Sequence, residues 1–229
     1  MEADILKRFS FFQNVMPDTV DGLWKAGRVT EVSKGSVLFR AKEQVDSVYF
    51  QLSGKSMLYN LTHTGQRKIV FIFGKGILLN DHVINIHESS LYCETIEKSR
   101  IFIIPVQVFV SWMEQDFALV KEAMVMQEWK MWRLGHQLKN TTGSIYMERK
   151  LAAKLWKLAR DFGRETPAGL EIDINMSVTF LADMLGAPRE TTSRLCRTLV
   201  EYGLIRMEKK RIFIADPQKM SQFYKTGEI

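Results

Sequence analysis

Cysteine is scarce. Cys93 and Cys196 are the only two in 229 residues, which excludes a disulfide framework and suits a reducing cytosol. Long apolar runs are missing too: the longest strongly apolar stretch, Ile69 to Phe73, falls far short of the roughly 18 residues a membrane span needs. The start, MEADILKRFS, sets acids and bases before any apolar run and does not read as a signal peptide, so a cytoplasmic location without a membrane partner is expected. Internal repeats and low-complexity tracts are absent from the sequence. With four scattered histidines, no nucleophile motif and no phosphate-binding loop, no catalytic or metal-ligating constellation stands out, and an enzyme is not expected.

What is present reads as ordinary folded chain. A 46% apolar fraction with 25% charged residues excludes disorder throughout, and the length suggests one or two domains with real cores. Lys and Arg number 32 against 26 Asp and Glu, and the net charge of +6 raises nucleic acid as a partner. That charge is uneven. Residues 140–229 hold 15 basic and 11 acidic side chains, net +4, whereas residues 1–139 hold 17 and 15, net +2.

The first third is strand-like after a short amphipathic segment from Pro17 to Trp24. Val48–Leu52, Met57–Leu61 and Ile69–Phe73 are aromatic and β-branched runs separated by the turn-forming Ser53-Gly54-Lys55 and His63-Thr64-Gly65-Gln66. Leu91–Ile96 and Arg100–Ile104 flank the polar Glu97-Lys98-Ser99 in the same way. Short strands with glycine turns predict an antiparallel barrel or roll. At Pro105 the period changes. Phe117, Val120, Met124, Gln127, Met131, Leu134 and Leu138 step by three and four, the seam of a coiled-coil helix, while Trp129 and Trp132 widen its apolar face. Lys139–Ser144 reads as a linker. The expected organisation is a roll over residues 1–115, a long helix over 116–140 and a mostly helical domain over 141–229, an α+β fold.

The informative stretch runs from Ser177 to Leu199. Ser177 caps a short helix with Leu181, Ala182 and Leu185 at helical spacing; Gly186 supplies a tight turn; Pro188 opens a second helix. That is a helix-turn-helix, whose second helix enters the DNA major groove. At about 100° per residue from Arg189, Glu190, Ser193, Arg194 and Arg197 fall within about 140°, and Leu195 and Leu199 lie opposite. Arginine bridges O6 and N7 of guanine, and a carboxylate accepts from cytosine N4. A lone glutamate on a basic face would repel phosphate, so base reading is its better use. Beyond Gly203, Ile205–Glu208 and Arg211–Ile214 flank a charged turn and predict a wing, with Lys209, Lys210 and Arg211 meeting backbone phosphate. Asp216-Pro217 then starts a terminal helix.

Across nearly its whole length the chain resembles the cyclic-AMP receptor protein/fumarate-nitrate reductase regulator (Crp/Fnr) family of bacterial transcription factors. The resemblance is carried by Leu181-Ala-Asp-Met-Leu-Gly-Ala-Pro-Arg-Glu-Thr-Thr-Ser-Arg-Leu-Cys-Arg-Thr-Leu-Val-Glu-Tyr-Gly-Leu-Ile205, by Lys34-Gly35-Ser-Val-Leu-Phe-Arg40, by Val48-Tyr-Phe-Gln-Leu-Ser-Gly-Lys55 and by Phe73-Gly-Lys-Gly76. It implies a cyclic-nucleotide-binding-like N-terminal β-roll, a long dimerisation helix and a C-terminal winged helix-turn-helix. The implied partners are double-stranded DNA, a second copy of the chain, RNA polymerase and a small-molecule effector. By the same resemblance Arg189, Glu190, Ser193 and Arg194 read bases in a palindrome of TGTGA- or TTGA-like half-sites, and Ser177, Thr191 and Arg197 join the wing in holding backbone. Pro188 departs from the family's usual serine, and Val178-Thr179 from its polar phosphate contacts.

The effector half departs further. No arginine occurs between Arg67 and Arg100, so the residue that would neutralise a cyclic phosphate is missing and cyclic AMP is not expected. No cysteine precedes Cys93, which excludes the family's iron–sulfur cluster. Haem is the alternative cofactor: His82 lies close to where a carbon-monoxide-sensing branch places its haem-binding histidine. The resemblance puts the effector pocket at Asp81, His82, Trp132 and His136, with the effector unidentified. Cys93 and Cys196 read as inert core thiols.

Overall fold

The computed structural model describes residues 4–63, 65–139, 146–167 and 169–229, so the expected linker, from residue 140, lies outside the described residues. The chain divides into two compact units, Met1–Asn60 with Ile69–Leu134, and Leu61–Lys68 with Gly135–Ile229.

The first unit opens on three helices, α1 (Asp4–Lys7), α2 (Ser10–Gln13) and α3 (Pro17–Ala26). Pro17 suits the first turn of α3, where its missing N–H would find no helical partner anyway. The two four-residue helices escape a periodicity search because they are too short to show a period. Side chains hold them: Phe9, Phe11 and Phe12 surround Phe50, with ring centroids 5.3, 5.6 and 4.9 Å from it.

The strands are β1 (Arg28–Val32), β2 (Val37–Phe39), β3 (Gln44–Val45), β4 (Ser47–Ser53), β5 (Ser56–Leu61), β6 (Arg67–Phe73), β7 (His87–Glu88), β8 (Tyr92–Thr95) and β9 (Ser99–Pro105). They form sheets ordered β1-β9-β4, β2-β8-β5-β6 and β3-β7. Strand β9 pairs antiparallel with both β1 and β4, and β8 with β2 and β5. Alternation along the strands sends Phe39, Leu58, Phe71, Phe73 and Cys93 into one core, while Phe50, Leu52, Phe102 and Ile104 meet the helices in another. Gly54 makes the β4–β5 turn at φ +79°, and a Cβ there would fall 2.6 Å from the Lys98 carbonyl, so no other residue fits. This is the expected β-roll.

Two helices follow, α4 (Val106–Met113) and α5 (Phe117–Lys139). Leu119 and Ala123 of α5 are buried in the roll's helical core, with Val120 and Met126 packed against it. The apolar seam therefore differs from the expected one. Val120 and Gln127 turn toward the roll, and Phe117, Met124, Met131 and Leu138 remain as the exposed heptad row, flanked by Val125 and Trp132.

In the second unit α6 (Met147–Phe162) precedes a hairpin of β10 (Gly163–Thr166) and β11 (Gly169–Ile172). Then come α7 (Val178–Leu185), α8 (Arg189–Glu201), β12 (Ile205–Glu208), β13 (Arg211–Ile214) and α9 (Pro217–Thr226). The sheet order is β10-β11-β13-β12. The β10–β11 hairpin was not expected, because Gly-Arg-Glu-Thr has no strand-forming pattern; its pairing with β11, which in turn lies against β13, makes it a strand. Leu151, Leu155, Leu181, Leu185, Leu199 and Ile212 are buried in this unit. The whole is the α+β fold that the pattern implied.

Candidate nucleic-acid interface and effector site

Ser177 Oγ accepts the Phe180 N–H at 3.1 Å and caps α7, which leaves its own O–H to donate elsewhere. Gly186 closes α7 in the left-handed region at φ 74°, its N–H donating to the Ala182 carbonyl. Pro188 is the N-cap of α8, and buried Thr192 donates its hydroxyl to the Pro188 carbonyl at 3.0 Å. The turn angle between the helices therefore rests on backbone geometry and leaves the first turn of α8 outward.

Helix α8 has two faces. Thr192, Leu195, Cys196 and Leu199 are buried; Arg189, Glu190, Arg194 and Arg197 are exposed; Thr191 and Ser193 are half-buried. Among the described residues the side chains of Arg189, Glu190, Arg194 and Arg197 make no hydrogen bond or ion pair, so the face is available to an external partner. Burial pushes the Cys196 thiol up to about 11, and it pushes the Cys93 thiol up as well, so both stay protonated and inert.

The wing turns at Lys209, a non-glycine residue at φ 58°. Lys209 and Lys210 are exposed and, among the described residues, free of side-chain partners. Arg211 is different. Its guanidinium lies 3.3 Å from the buried Glu171 carboxylate, which also pairs with Arg164 at 3.0 Å. Arg211 thus has a structural commitment that its place in the sequence did not reveal.

At the roll, the Asp81 carboxylate accepts the N–H and O–H of Ser90 and lies 3.0 Å from His82 Nδ1. Burial works to raise the Asp81 pKa, but those hydrogen bonds and the neighbouring His82 outweigh it and hold the carboxyl below the usual range. His82 Nε2 meets the His87 carbonyl at 3.0 Å. Both ring nitrogens are engaged, an arrangement that does not fit a haem ligand. Trp132 and His136 lie on α5 and are exposed.

In this stretch of α5 the side chains that turn inward beside Gln127 are Trp129, Lys130 and Arg133. Lys130 is 6% exposed, donates to the Asn80 carbonyl at 2.6 Å and sits 5.7 Å from the Phe73 ring centre. Gln127 donates to the same carbonyl at 3.4 Å. Arg133 is 7% exposed and stacks 4.5 Å from the Trp129 ring, which lies 5.9 Å from Phe73. Burial pulls the Lys130 ammonium down to about 7, against the opposing effect of the Asp81 carboxylate. Sequence reasoning missed both cations. The signal was there: Leu119, Ala123, Met126, Lys130 and Arg133 step by four and three, so two charges continue a core stripe.

A winged helix-turn-helix that follows a ligand-binding type of β-roll and a long helix defines a DNA-binding transcription regulator, not an enzyme. Residues 149–223 match the family model described as a Crp-like helix-turn-helix domain, and residues 29–116 the one described as a cyclic nucleotide-binding domain. The chain belongs to the Crp/Fnr family of transcription regulators. It is similar to the CRP-like cAMP-activated global transcriptional regulator of Mycobacterium tuberculosis, 22% identical over 220 residues, 96% of this chain and 98% of that one. A global nitrogen regulator of Synechococcus elongatus is 40% identical over 76 residues, 33% of this chain and 34% of that one. Among solved structures, the c-di-GMP-responsive global regulator CLP of Xanthomonas campestris superposes with a TM-score of 0.77 at 15% identity, over 88% of this chain and 100% of that one. No helix among the described residues is long and apolar enough to cross a membrane.

Proposed function

We propose that this regulator acts as a homodimer on a palindromic operator with TGA-containing half-sites, under control of a small-molecule effector other than cyclic AMP. One observation carries the DNA assignment: Arg189, Glu190 and Arg194 stand exposed, and without side-chain partners among the described residues, on the face of α8 opposite buried Leu195 and Leu199. Those residues and Ser193 read bases; Ser177, Thr191, Arg197, Lys209 and Lys210 hold backbone, and Arg211 does so from its pair with Glu171. Residues 1–115 sense, 116–140 dimerise and 141–229 bind DNA. Two-fold symmetry then puts half-sites about one helical turn apart. RNA polymerase is the further partner that the family resemblance implies. Effector control is supported by the relatives, one cAMP-activated and one c-di-GMP-responsive, while the missing arginine between Arg67 and Arg100 separates this chain from a cyclic-phosphate ligand.

Selection from random duplex DNA, followed by footprinting, tests the reading. The selected site is expected to be a TGA-type palindrome, and an asymmetric or unrelated consensus would overturn it. Glu190→Ala and Arg194→Ala are each expected to lower operator affinity about 5- to 150-fold and to relax preference at one base pair, since a bidentate base contact contributes about 1–3 kcal/mol of discrimination. Lys209→Ala and Lys210→Ala are expected to act evenly on all sequences. Each should reduce the slope of log affinity against log salt by about 1, as loss of one phosphate contact does. A loss of base preference in the wing variants would contradict this division of labour.

A further inference from the structure

Helix α5 carries two cations on the side that turns into the roll. At about 100° per residue, Leu119, Ala123, Met126, Lys130 and Arg133 share a face about 80° wide. Its first half is apolar core. Its second half is Lys130 and Arg133, each less than a tenth exposed. Among the described residues Lys130 forms no ion pair, and its one hydrogen bond goes to a neutral carbonyl, that of Asn80. An ammonium has three donors, so two remain. A buried cation without a counter-charge is strongly unfavourable and is retained where something compensates it.

Among the described residues, the chain compensates Lys130 little. Asp81 acts on Lys130, but its carboxylate is held by Ser90 and His82. Cys93 faces Lys130 too, and burial keeps that thiol neutral. Arg133, one turn along, adds a second positive charge, and Phe73 and Trp129 supply flat apolar surface beside both cations. The roll lacks a phosphate-binding arginine of its own, and α5 brings the positive charge instead.

We propose that Lys130 and Arg133 form the anion-recognising wall of the effector site and that the effector is a small planar carboxylate whose apolar body lies against Phe73 and Trp129. This rests on the reading of an effector-controlled regulator. The carboxylate accepts from the two remaining donors of Lys130 while the third stays on the Asn80 carbonyl, so the ligand is held beside the contact between α5 and the loop at residue 80.

Titration calorimetry with benzoate, and with benzamide as its neutral isostere, tests the proposal on the full-length protein. Benzoate is expected to bind at least tenfold more tightly than benzamide. Lys130→Met should lose that preference, and Lys130→Arg, which keeps the charge, should restore most of it. Benzoate affinity of the wild type should also fall about tenfold per pH unit above pH 7, as Lys130, brought down to about 7, gives up its proton. Equal binding of benzoate and benzamide, or no binding of either, overturns the proposal, as does benzoate binding that is indifferent to pH. Should Lys130→Met fail to fold, Lys130→Arg and the pH series decide. Wild type that shifts its selected operator but ignores benzoate defeats this inference alone; wild type that binds benzoate but no DNA defeats the operator reading instead.

Discussion

Operator affinity is expected to fall at least a hundredfold when Met124 and Met131 are both replaced by glutamate. Phe117, Met124, Met131 and Leu138 stand seven residues apart on α5, and Phe117 and Met131 are 70% and 68% exposed. In the proposed homodimer this row meets its own copy: burying a Met or Phe side chain contributes about 1.5–3 kcal/mol each, and a two-fold axis along the helix would double the count. Glutamates at both positions would remove that burial and set like charges against each other across the axis. A monomer then holds one half-site. The second half-site is no longer bound intramolecularly, and linked binding typically strengthens affinity by about 10²- to 10⁴-fold. Sedimentation equilibrium and gel shifts on the selected palindrome give the two readouts. Because both methionines are exposed, the roll's own core is untouched and far-UV circular dichroism should be unchanged. A double variant that stays dimeric at micromolar concentration and keeps its operator affinity would disprove this seam.

Lys130→Met is expected to remove the larger part of a rise in stability between pH 7 and pH 10, the part that Lys130 contributes. In the folded protein burial brings the Lys130 ammonium down to about 7, whereas an unfolded lysine titrates near about 10.4. Between those values the unfolded chain binds a proton that the native chain has released, so native stability rises with pH through this window. Below pH 7 both states carry the proton and this group adds no pH dependence. The rise amounts to on the order of 4 kcal/mol, from about three pKa units at 1.36 kcal/mol each. Lys154, brought down to about 8 by burial and by neighbouring Lys68 and Lys157, works in the same direction. It is present in both proteins, so the difference between wild type and variant isolates Lys130. Urea unfolding at pH 7, 8.5 and 10 measures it. Parallel curves for the two proteins would mean that Lys130 keeps an ordinary pKa.

The helix-turn-helix was legible residue by residue because its signals are local. Ser177 caps α7 through a hydroxyl three residues from the N–H it accepts, and Gly186 takes the left-handed conformation that a tight turn requires. The two faces of α8 follow from periodicity alone: Leu195 and Leu199 go inward and Arg189, Glu190 and Arg194 outward. The roll strands were legible for the same reason, as Val48–Leu52 and Ile69–Phe73 sit inside β4 and β6. Two kinds of element were not legible. Helices α1 and α2 are too short to carry a period and exist because Phe9, Phe11 and Phe12 converge on Phe50, a residue tens of positions away. Strand β10 has no apolar alternation and is defined by its pairing to β11.

The long helix marks the boundary. Its start near residue 117 and its length followed from the three-and-four spacing of apolar residues, whereas its role in dimerisation is what the family resemblance implies. Which residues of that helix face the roll did not. Apolar side chains occupy more than one face of α5, and periodicity alone assigns Val120 and Gln127 to an outer seam as readily as to the roll. Only packing against the loop at residue 80 turned Gln127 and Lys130 inward onto the Asn80 carbonyl and stacked Arg133 on Trp129. The sequence by itself determined a DNA-binding regulator, because capping, turns and helix periodicity act within a few residues. Tertiary structure decided where the sensory half keeps its positive charge, because burying a cation depends on what the distant roll sets around it.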